Sequence, residues 1–474
     1  MIARVALSLA VLAAEPQPLS APAVTLGPGP AEASLPRAPS IRRMTLDEAL
    51  DYARKNQPTL LSARALLAGR QAEARVPAAL FLPRLTATAQ VLEGTTNNST
   101  ASYLNVYGMD LPRIGGVPVG SKDWSPYAST LAGAGLRQEV FDFGRIAALQ
   151  AVANAAVEAE RSANDVTRLD VDFAVESAFY AVRTAKGIFG AAQAAYDRSL
   201  LNYNTAVAGV KAGLREPIEL TRAESDLDRF DVGRVRAQAG LDAAQSVFAA
   251  VVGVPDLMLD AKGEPPPVLP APTLPEAVEQ AFRNDPLLKT RRALILQQES
   301  TTRAIAAELH PDLSLSATLT GRAGGAPASG AAVPEGQGFI PSIPNWDAAL
   351  VLTWPLLDFG VLAREDASRA LEGARQAEWS EAKQQLAANV QKAYVDLVAA
   401  SRALPSLEKT LVAAHANYDQ AEARFKNQLG SSVELADAQA LLTTAEMDVT
   451  IGRFAVLQAR AALGRVIAEG LNRE

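Results

Sequence analysis

Two carboxylates, Glu434 and Asp437, stand three residues apart in the segment Val433-Glu-Leu-Ala-Asp-Ala438. If this segment is helical, the spacing places both side chains on one helix face, one turn apart. In a symmetric assembly, such acids form a ring of negative charge that attracts cations. Acids in a first helical turn also complement the helix dipole, and this simpler interpretation stays open.

The composition removes most other chemistries. The 474 residues include no cysteine and two histidines, and the formal net charge is -7. A chain without thiols has no disulfides, thiolate metal sites or cysteine nucleophiles. His310 and His415 are too far apart in the sequence to form a metal pair by spacing, and the motifs of phosphate-binding loops, serine hydrolases and zinc proteases do not occur. We therefore expect no enzymatic activity, no cofactor and no metal site. The lack of basic clusters also argues against a nucleic-acid partner.

An internal repeat organises the chain. Residues 46–58 (LDEALDYARKNQP) recur as residues 274–286 (LPEAVEQAFRNDP). Farther along, Phe141-Asp-Phe-Gly144 returns as Leu357-Asp-Phe-Gly360. Because these matches occur in the same order, they indicate two copies of one unit rather than a series of unrelated globular domains.

The repeats and the N-terminus together predict five segments. A short apolar run at the start is typical of a secretory signal peptide, placed at 1–23 with its cleavage site left open, and a Pro- and Ala-rich extended segment follows at 24–43. The first repeat covers 44–255, a Pro-rich linker 256–272 and the second repeat 273–470. A disordered apolar tail is the other interpretation of the first segment. No apolar run is long enough for a membrane-spanning helix.

Each repeat is predicted to contain a hairpin of long helices. No proline lies between Phe143 and Pro217, so a helix from Phe143 to about Val210 would be about 100 Å long. In the second repeat, apolar residues recur every four and three positions over 386–425, which is the pattern of a coiled-coil seam. The first repeat has the same seam at equivalent positions. Pro405 interrupts the second seam, where we expect a bend or local unwinding. A tolerated, solvent-facing proline is the alternative.

Four short segments are predicted to be strands. Apolar and polar residues alternate over 85–91 and 313–320, which predicts one apolar face and one polar face. A strand over 131–141 is placed mainly by the repeat. In the fourth segment, Trp346 and Trp354 fall on one face, about 20 Å apart along the axis of a tilted barrel, which is near the height of a lipid-facing band with aromatic girdles. Taken singly, each strand also fits a soluble sheet.

Four strands cannot close a barrel, and lipid tolerates no open sheet edge. The chain would therefore have to oligomerise to complete a membrane barrel. Two copies would give about eight strands, whose interior fills with side chains, whereas three would give about twelve strands and a usable lumen.

The duplicated LxEA…NxP helices, the P-x-L-x-A strands, the two DFG segments and the long hairpins resemble the TolC-like outer-membrane efflux proteins. The resemblance covers residues from about 44 to 470. It implies a mainly α fold with a β membrane portion: a homotrimer whose twelve-stranded β-barrel in the outer membrane continues as an α-helical barrel across the periplasm. The implied function is that of a passive exit duct of a tripartite efflux or type I secretion system, working with a periplasmic adaptor and an inner-membrane pump. The alternative is a periplasmic coiled-coil structural or adaptor protein, which should carry one hairpin rather than two.

The resemblance also implies roles for the hairpin turns. These turns lie farthest from the strands and would form the periplasmic tip, where Gly213 and Leu214 in the first turn and Leu429 and Gly430 in the second would contact the adaptor. Both glycines are expected to relax their turns.

The same resemblance places the acids at a closed aperture. In the family, acidic residues of a V-[DE]-x-x-D-A pattern ring the narrow end, and Glu434 and Asp437 occupy those positions here. In the first repeat, Glu219 and Arg222 take the places equivalent to Glu434 and Asp437. Arg222 thus stands where the second repeat has an acid, and its positive charge would supply a partner for the acids in a latch. Trp346 and Trp354 would lie at the boundary with the lipid.

Overall fold

The structure, a computed structural model, describes residues 41–95, 126–255, 258–264, 267, 270–324, 343–427 and 429–472. The predicted signal peptide and nearly all of the extended segment after it lie outside these residues. None of the described helices is both long enough and apolar enough to span a membrane.

The elements follow one another in the same order in the two parts of the chain, except that the short helix α3 of the first part is replaced by a 3₁₀ turn, Ala307–Leu309, in the second. The first part contains β1 (Arg42–Met44), α1 (Leu46–Asn56), α2 (Pro58–Glu73), α3 (Val76–Ala79), β2 (Arg84–Thr95), β3 (Pro126–Phe141), α4 (Arg145–Lys211) and α5 (Pro217–Val252). The second contains β4 (Leu259–Ala261), α6 (Leu274–Asn284), α7 (Pro286–Ala306), β5 (Asp312–Gly324), β6 (Ile343–Thr353), α8 (Phe359–Lys426) and α9 (Ser432–Val466).

The aspartate of each DFG segment begins a long helix. Asp358 accepts hydrogen bonds from the backbone N–H groups of Gly360 and Val361, at 2.7 and 3.2 Å. The buried Asp142 accepts equivalent bonds at the start of α4. Such side chains satisfy N–H groups that have no partner within the helix. The repeated motif therefore marks the transition from strand to long helix.

The two long helices have the predicted length and seam. Helix α4 has 67 residues and α8 has 68, which corresponds to about 100 Å each. Seam residues such as Val175 and Val182 in α4 and Val390 in α8 are fully buried. Helix α8 continues through Pro405, so the local unwinding considered there does not occur. Its ring lies exposed, so the proline is tolerated at the surface of the helix.

The four long helices pack in the order α5, α4, α9, α8. Helix α4 lies against both α5 and α9, and α9 also lies against α8. The buried side chains form separate clusters along the bundle, and the cluster nearest the turns joins Tyr418 and Phe425 of α8 to Leu435 and Leu442 of α9. The two hairpins are therefore held together side by side through α4 and α9.

Strands from both parts of the chain form one antiparallel sheet in the order β2-β3-β5-β6. This order repeats that of the helices, because each pair of strands leads into its own hairpin. Within the described residues, β2 and β6 are the outer strands of this open sheet.

A second, two-stranded sheet pairs β1 with β4 in parallel. Sequence reasoning missed it, since three residues are too few for a recognisable pattern. Buried Asp260 in β4 forms a salt bridge with Lys186 of α4 at 2.6 Å. This pair ties the segment that joins the two parts of the chain to the helical bundle.

Candidate functional site

The first hairpin turn joins α4 to α5. Gly213 has a backbone φ of 68°, a left-handed conformation that is costly for residues with a Cβ atom. The N–H of Leu214 donates to the carbonyl of Gly209 at 2.9 Å and closes the turn. The Leu214 side chain is 66% exposed. The structure thus places both predicted tip residues of the first hairpin at its surface.

The second turn joins α8 to α9. Leu429 is 73% exposed, and Ser431 caps α9 by accepting a hydrogen bond from the N–H of Glu434 at 3.2 Å. Gly430 does not adopt a left-handed conformation. A residue without a side chain is favoured there by close packing rather than by backbone conformation. A Cβ atom at Gly430 would lie 3.1 Å from Cβ of Arg424 and 3.2 Å from a carboxylate oxygen of Glu434.

The two acids of the predicted aperture both lie exposed in the first turns of α9. Glu434 forms a salt bridge with Arg424 at 3.2 Å. Both side chains are about half exposed, so this pair contributes little stability. Within the described part of the chain, the partner of Glu434 is therefore Arg424 rather than Arg222.

The equivalent residues of the first repeat are arranged differently. Glu219 pairs with Arg215 at 2.7 Å, whereas the side chain of Arg222 lies exposed. The structure does not bring Arg222 to Glu434 within one chain, so the predicted latch would need a second copy.

Arg215 connects the two hairpins and was missed by sequence reasoning. Its guanidinium donates to the carbonyl of Phe425 at 3.0 Å and lies 3.7 Å from the centre of the Phe425 ring. The side chain packs against Gly209, where a Cβ atom would lie 2.8 Å from Cδ of Arg215. Nothing in the local sequence signals this contact, because its partners are about 200 residues apart.

Asp226 of α5 adds a further carboxylate near the acids of the predicted aperture. Burial raises its pKa, the nearby Arg229 lowers it, and the charge of Asp437 raises it again. Asp437 therefore lies close enough to α5 to act on Asp226. The heptad spacing from Glu219 to Asp226, which places both on one face of α5, could have indicated this residue.

A polar network crosses the interface of α4 and α9. Gln439 is 2% exposed, donates to the carbonyl of Ala195 at 2.7 Å and accepts from the Asn202 amide at 3.2 Å. Farther from the turns, Arg198 binds both carboxylate oxygens of Glu446, at 3.3 and 3.0 Å. Polar groups in an otherwise apolar seam fix the register of the helices.

The four-stranded sheet has an apolar face that is exposed. Its opposite, polar face is sheltered along β5, whereas Asp347 and Ala349 of β6 on the same face are exposed. The exposed face carries large side chains from β2, β5 and β6, among them Leu85, Val91, Leu319 and Leu350. Four side chains of β5 on the opposite face are almost fully buried: Ser314, Ser316, Thr318 and Thr320. This is the reverse of a soluble sheet, and it matches strands that face lipid on one side and a polar lumen on the other.

The two predicted boundary tryptophans lie on the exposed side. Trp346 near the start of β6 is 78% exposed, and Trp354, one residue beyond its end, is 58% exposed. Leu350 and Leu352 lie between them and are also exposed. The spacing is that expected of an apolar band with an aromatic residue at each border.

The described residues contain no group of three or more histidine, aspartate or glutamate side chains that could hold a metal ion. The polar groups at the turns and along the sheet form ion pairs and hydrogen bonds over an extended surface.

Comparison with known proteins gives a consistent result. The family model of outer membrane efflux proteins matches residues 49–254 and 277–469. No curated protein sequence matches the chain.

Three solved structures illustrate the structural similarity. The outer-membrane channel OprN has a TM-score of 0.71 at 18% identity, over 89% of each chain. The CmeC outer membrane channel of Campylobacter jejuni has a TM-score of 0.71 at 13% identity, over 90% of this chain and 86% of that one. The open state of the MtrE outer membrane channel of Neisseria gonorrhoeae has a TM-score of 0.69 at 18% identity, over 90% of each chain. At these identities the similarity shows a shared fold.

Proposed function

The chain belongs to the outer membrane efflux protein family, and from this we propose that it is the passive exit duct of a tripartite efflux or secretion machine. Its strands would lie in the outer membrane and its helices in the periplasm. Energy would come from an inner-membrane pump, which a periplasmic adaptor connects to the duct.

The observation that carries this proposal is the four-stranded sheet with its apolar face exposed. A soluble protein would bury that face, since exposing so much contiguous apolar surface to water is unfavourable. In a lipid bilayer the preference is reversed, and apolar side chains on a strand face outward. The sheltered face, with Thr318 hydrogen-bonded to Asp347, supplies the polar lining of a lumen.

The edges of the sheet support a trimer. An edge strand in lipid leaves backbone groups without partners, so β2 of one copy would pair with β6 of the next. Three copies would give about twelve strands, enough for an open lumen. The helices would follow the same order, with the outer flank of α5 meeting α8 of a neighbouring copy.

The hairpin turns would form the closed end and the contact with the adaptor. In a trimer, Glu434 and Asp437 would contribute six carboxylates around one aperture, with Asp226 close by. Arg222 is exposed and would be available to acids of a neighbouring copy as a latch. Leu214 and Leu429 would offer exposed apolar groups to the adaptor.

The adaptor alternative is not supported. We expected an adaptor to carry a single hairpin, whereas this chain has the two hairpins α4–α5 and α8–α9. The family match covers both of them.

Membrane fractionation and conductance measurements test the duct. The full-length protein should be recovered in the outer membrane, and after extraction in detergent it should form ion-conducting channels in planar bilayers. Recovery as a soluble periplasmic protein that gives no conductance would overturn the proposal.

A further inference from the structure

We propose that a cavity at the junction of the sheet and the helices binds organic anions, namely solutes that carry a carboxylate or phosphate group on an apolar body. The cavity has a volume of about 310 Å³. Its charged lining consists of Arg84 of β2, Arg137 and Glu139 of β3, and Arg145 in the first turn of α4. The place of this cavity in a lumen rests on the proposed duct.

The arginines of the two strands lie on the polar face of the sheet. Side chains along a strand alternate between its two faces, so Arg84 shares a face with Thr86 and lies opposite to the exposed Leu85. Arg137 is the direct cross-strand neighbour of Arg84 and therefore lies on the same face. In the proposed duct this face lines the lumen, through which solutes pass.

The lining of the cavity has an excess of positive charge. Two of its arginines stand directly opposite each other on neighbouring strands, and like charges in this position are destabilising. Glu139 supplies one negative charge against three positive ones. Asp142 uses its carboxylate to cap α4, and Asp312 lies near Glu139 but outside the lining. A bound anion would offset the excess, and guanidinium groups match the geometry of carboxylates and phosphates.

The remainder of the lining is apolar and consists of Ala79, Leu80, Leu82 and Pro83. Leu82 is 64% exposed and Leu80 is 36% exposed. An inorganic anion would leave these side chains in water, whereas an organic anion would also cover them, and the burial of apolar surface is favourable. The lining therefore favours an anion with an apolar body over inorganic phosphate.

The internal repeat shows that the fold does not require the basic cluster. The cross-strand pair of arginines corresponds to Asp312 and Thr353, which stand opposite each other at the same end of β5 and β6. The third arginine corresponds to Val361, since each is the third residue after the aspartate of its DFG segment. Equivalent strands and an equivalent helix form in the second part of the chain without these charges. A ligand gives a reason for a cluster that the fold does not need.

A fluorinated probe tests the inference. The ion para-fluorobenzoate carries a carboxylate on an apolar ring, and para-fluorobenzyl alcohol has a similar shape without the charge. The full-length protein in nanodiscs of phosphatidylcholine is added to each probe, and the fluorine NMR signal of the probe is followed. We expect the signal of para-fluorobenzoate to broaden with increasing protein concentration, and that of the alcohol to change much less. Equal effects on the two probes, or none on para-fluorobenzoate, would overturn the inference.

Substitution of the arginines locates the binding. Arg84→Gln, Arg137→Gln and Arg145→Gln together should weaken the binding of para-fluorobenzoate by roughly tenfold or more, because charge-assisted hydrogen bonds are lost. If this triple variant does not assemble, Arg145→Gln alone, which lies outside the sheet, should weaken the binding several-fold. Unchanged affinity in the assembled variant would place the probe elsewhere and overturn the inference.

The matched control removes the same number of positive charges from other sites. Arg64→Gln, Arg292→Gln and Arg303→Gln replace exposed arginines of α2 and α7, and this variant should bind para-fluorobenzoate like the wild type. An equal loss in the control would show that the overall charge of the protein attracts the probe, and it would overturn the inference.

Two further results separate this inference from its alternatives. If nanodiscs that contain phosphatidylglycerol abolish the binding of the probe, the cavity holds a lipid headgroup and the inference is wrong. The measurement does not depend on conductance. A wild type that conducts ions without binding para-fluorobenzoate would contradict only this inference, whereas one that binds the probe without conducting would contradict only the duct.

Discussion

At the scale of single residues, the ends of the hairpins depend on side chains whose partners are distant in sequence. Glu434 and Asp437 could be proposed as aperture residues from their spacing after a turn together with the family resemblance, and this role stays a prediction. Arg215 and Gln439 could not, because their roles depend on which helices lie side by side. Periodicity identifies the face that a helix buries, but not its neighbour.

The aperture acids can be tested directly. In the proposed trimer, Glu434 and its ion pair with Arg424 add side-chain bulk and fixed charge to the narrow end. Replacing Glu434 and Asp437 together by alanine should therefore raise single-channel conductance several-fold in planar bilayers. Asp448→Ala, an exposed acid farther along α9, is the control and should leave the conductance unchanged. If the double variant also conducts like the wild type, the two acids only interact favourably with the dipole of α9 and do not line an aperture.

Asp226 should make stability depend on pH. Burial raises its pKa in the folded protein, so the folded state binds the proton more tightly than the unfolded state does. The stability this confers is complete below the unfolded pKa and is lost as pH rises through the folded pKa. Asp226→Asn should therefore melt at a higher temperature than the wild type at neutral pH, and the difference should disappear in acid.

A neighbouring residue provides the comparison for Asp226. Asp228 lies on the same helix but is exposed, so Asp228→Asn should melt like the wild type at both pH values. A wild-type melting temperature equal to that of Asp226→Asn at neutral pH would show that burial of this carboxylate has no net cost.

At the scale of helices and strands, much of the fold could be predicted because long elements average out local irregularities. The α4 and α8 seams repeat over many turns, and the aspartates of the two DFG segments mark where each helix begins. Strand β3 was harder, since Gly133 has no side chain to contribute to an alternating pattern. It is small because a Cβ atom there would lie 2.8 Å from Thr320 on the neighbouring strand. The two alternatives at Pro405 could not be separated from the sequence, because only the packing shows that this part of α8 faces outward.

The contact between α4 and α9 requires a glycine. A Cβ atom at Gly187 would collide with Cγ2 of Thr450, whose χ1 angle is restricted because the side chain is β-branched. Gly187→Val should therefore destabilise the protein by about 1–3 kcal/mol, measured by denaturant unfolding or by the melting temperature in detergent.

A second glycine of the same helix serves as the control. A Cβ atom at Gly190 would have no other atom within 4 Å, and Gly190→Ala should stabilise the helix by about 0.5–1 kcal/mol. Combining Gly187→Ala with Thr450→Ser, which removes the colliding methyl group, should restore most of any loss caused by Gly187→Ala alone. Equal effects at the two glycines would contradict the close packing of α4 and α9.

At the scale of the whole molecule, the proposed duct requires the apolar face of the sheet to meet lipid. Leu350 lies on the exposed apolar face, and its neighbour Ala349 points to the opposite side, where it is paired with Ser316. Leu350→Arg should cost about 2–4 kcal/mol in the bilayer and lower the amount of protein assembled in the outer membrane. Ala349→Arg, facing the polar side, should have a much smaller effect. The opposite ranking would mean that the two faces have been assigned the wrong way round.

The number of copies could be argued from the sequence only through strand counting, because the contacts between protomers lie beyond a single chain. The structure provides the open edges β2 and β6 and the exposed flanks of α5 and α8, which a ring of identical copies would close. The mass of the complex extracted from the outer membrane in mild detergent, determined by native mass spectrometry, tests this most directly. The proposed duct should be a particle of three chains, and a stable monomer or dimer that still conducts ions would contradict the proposal.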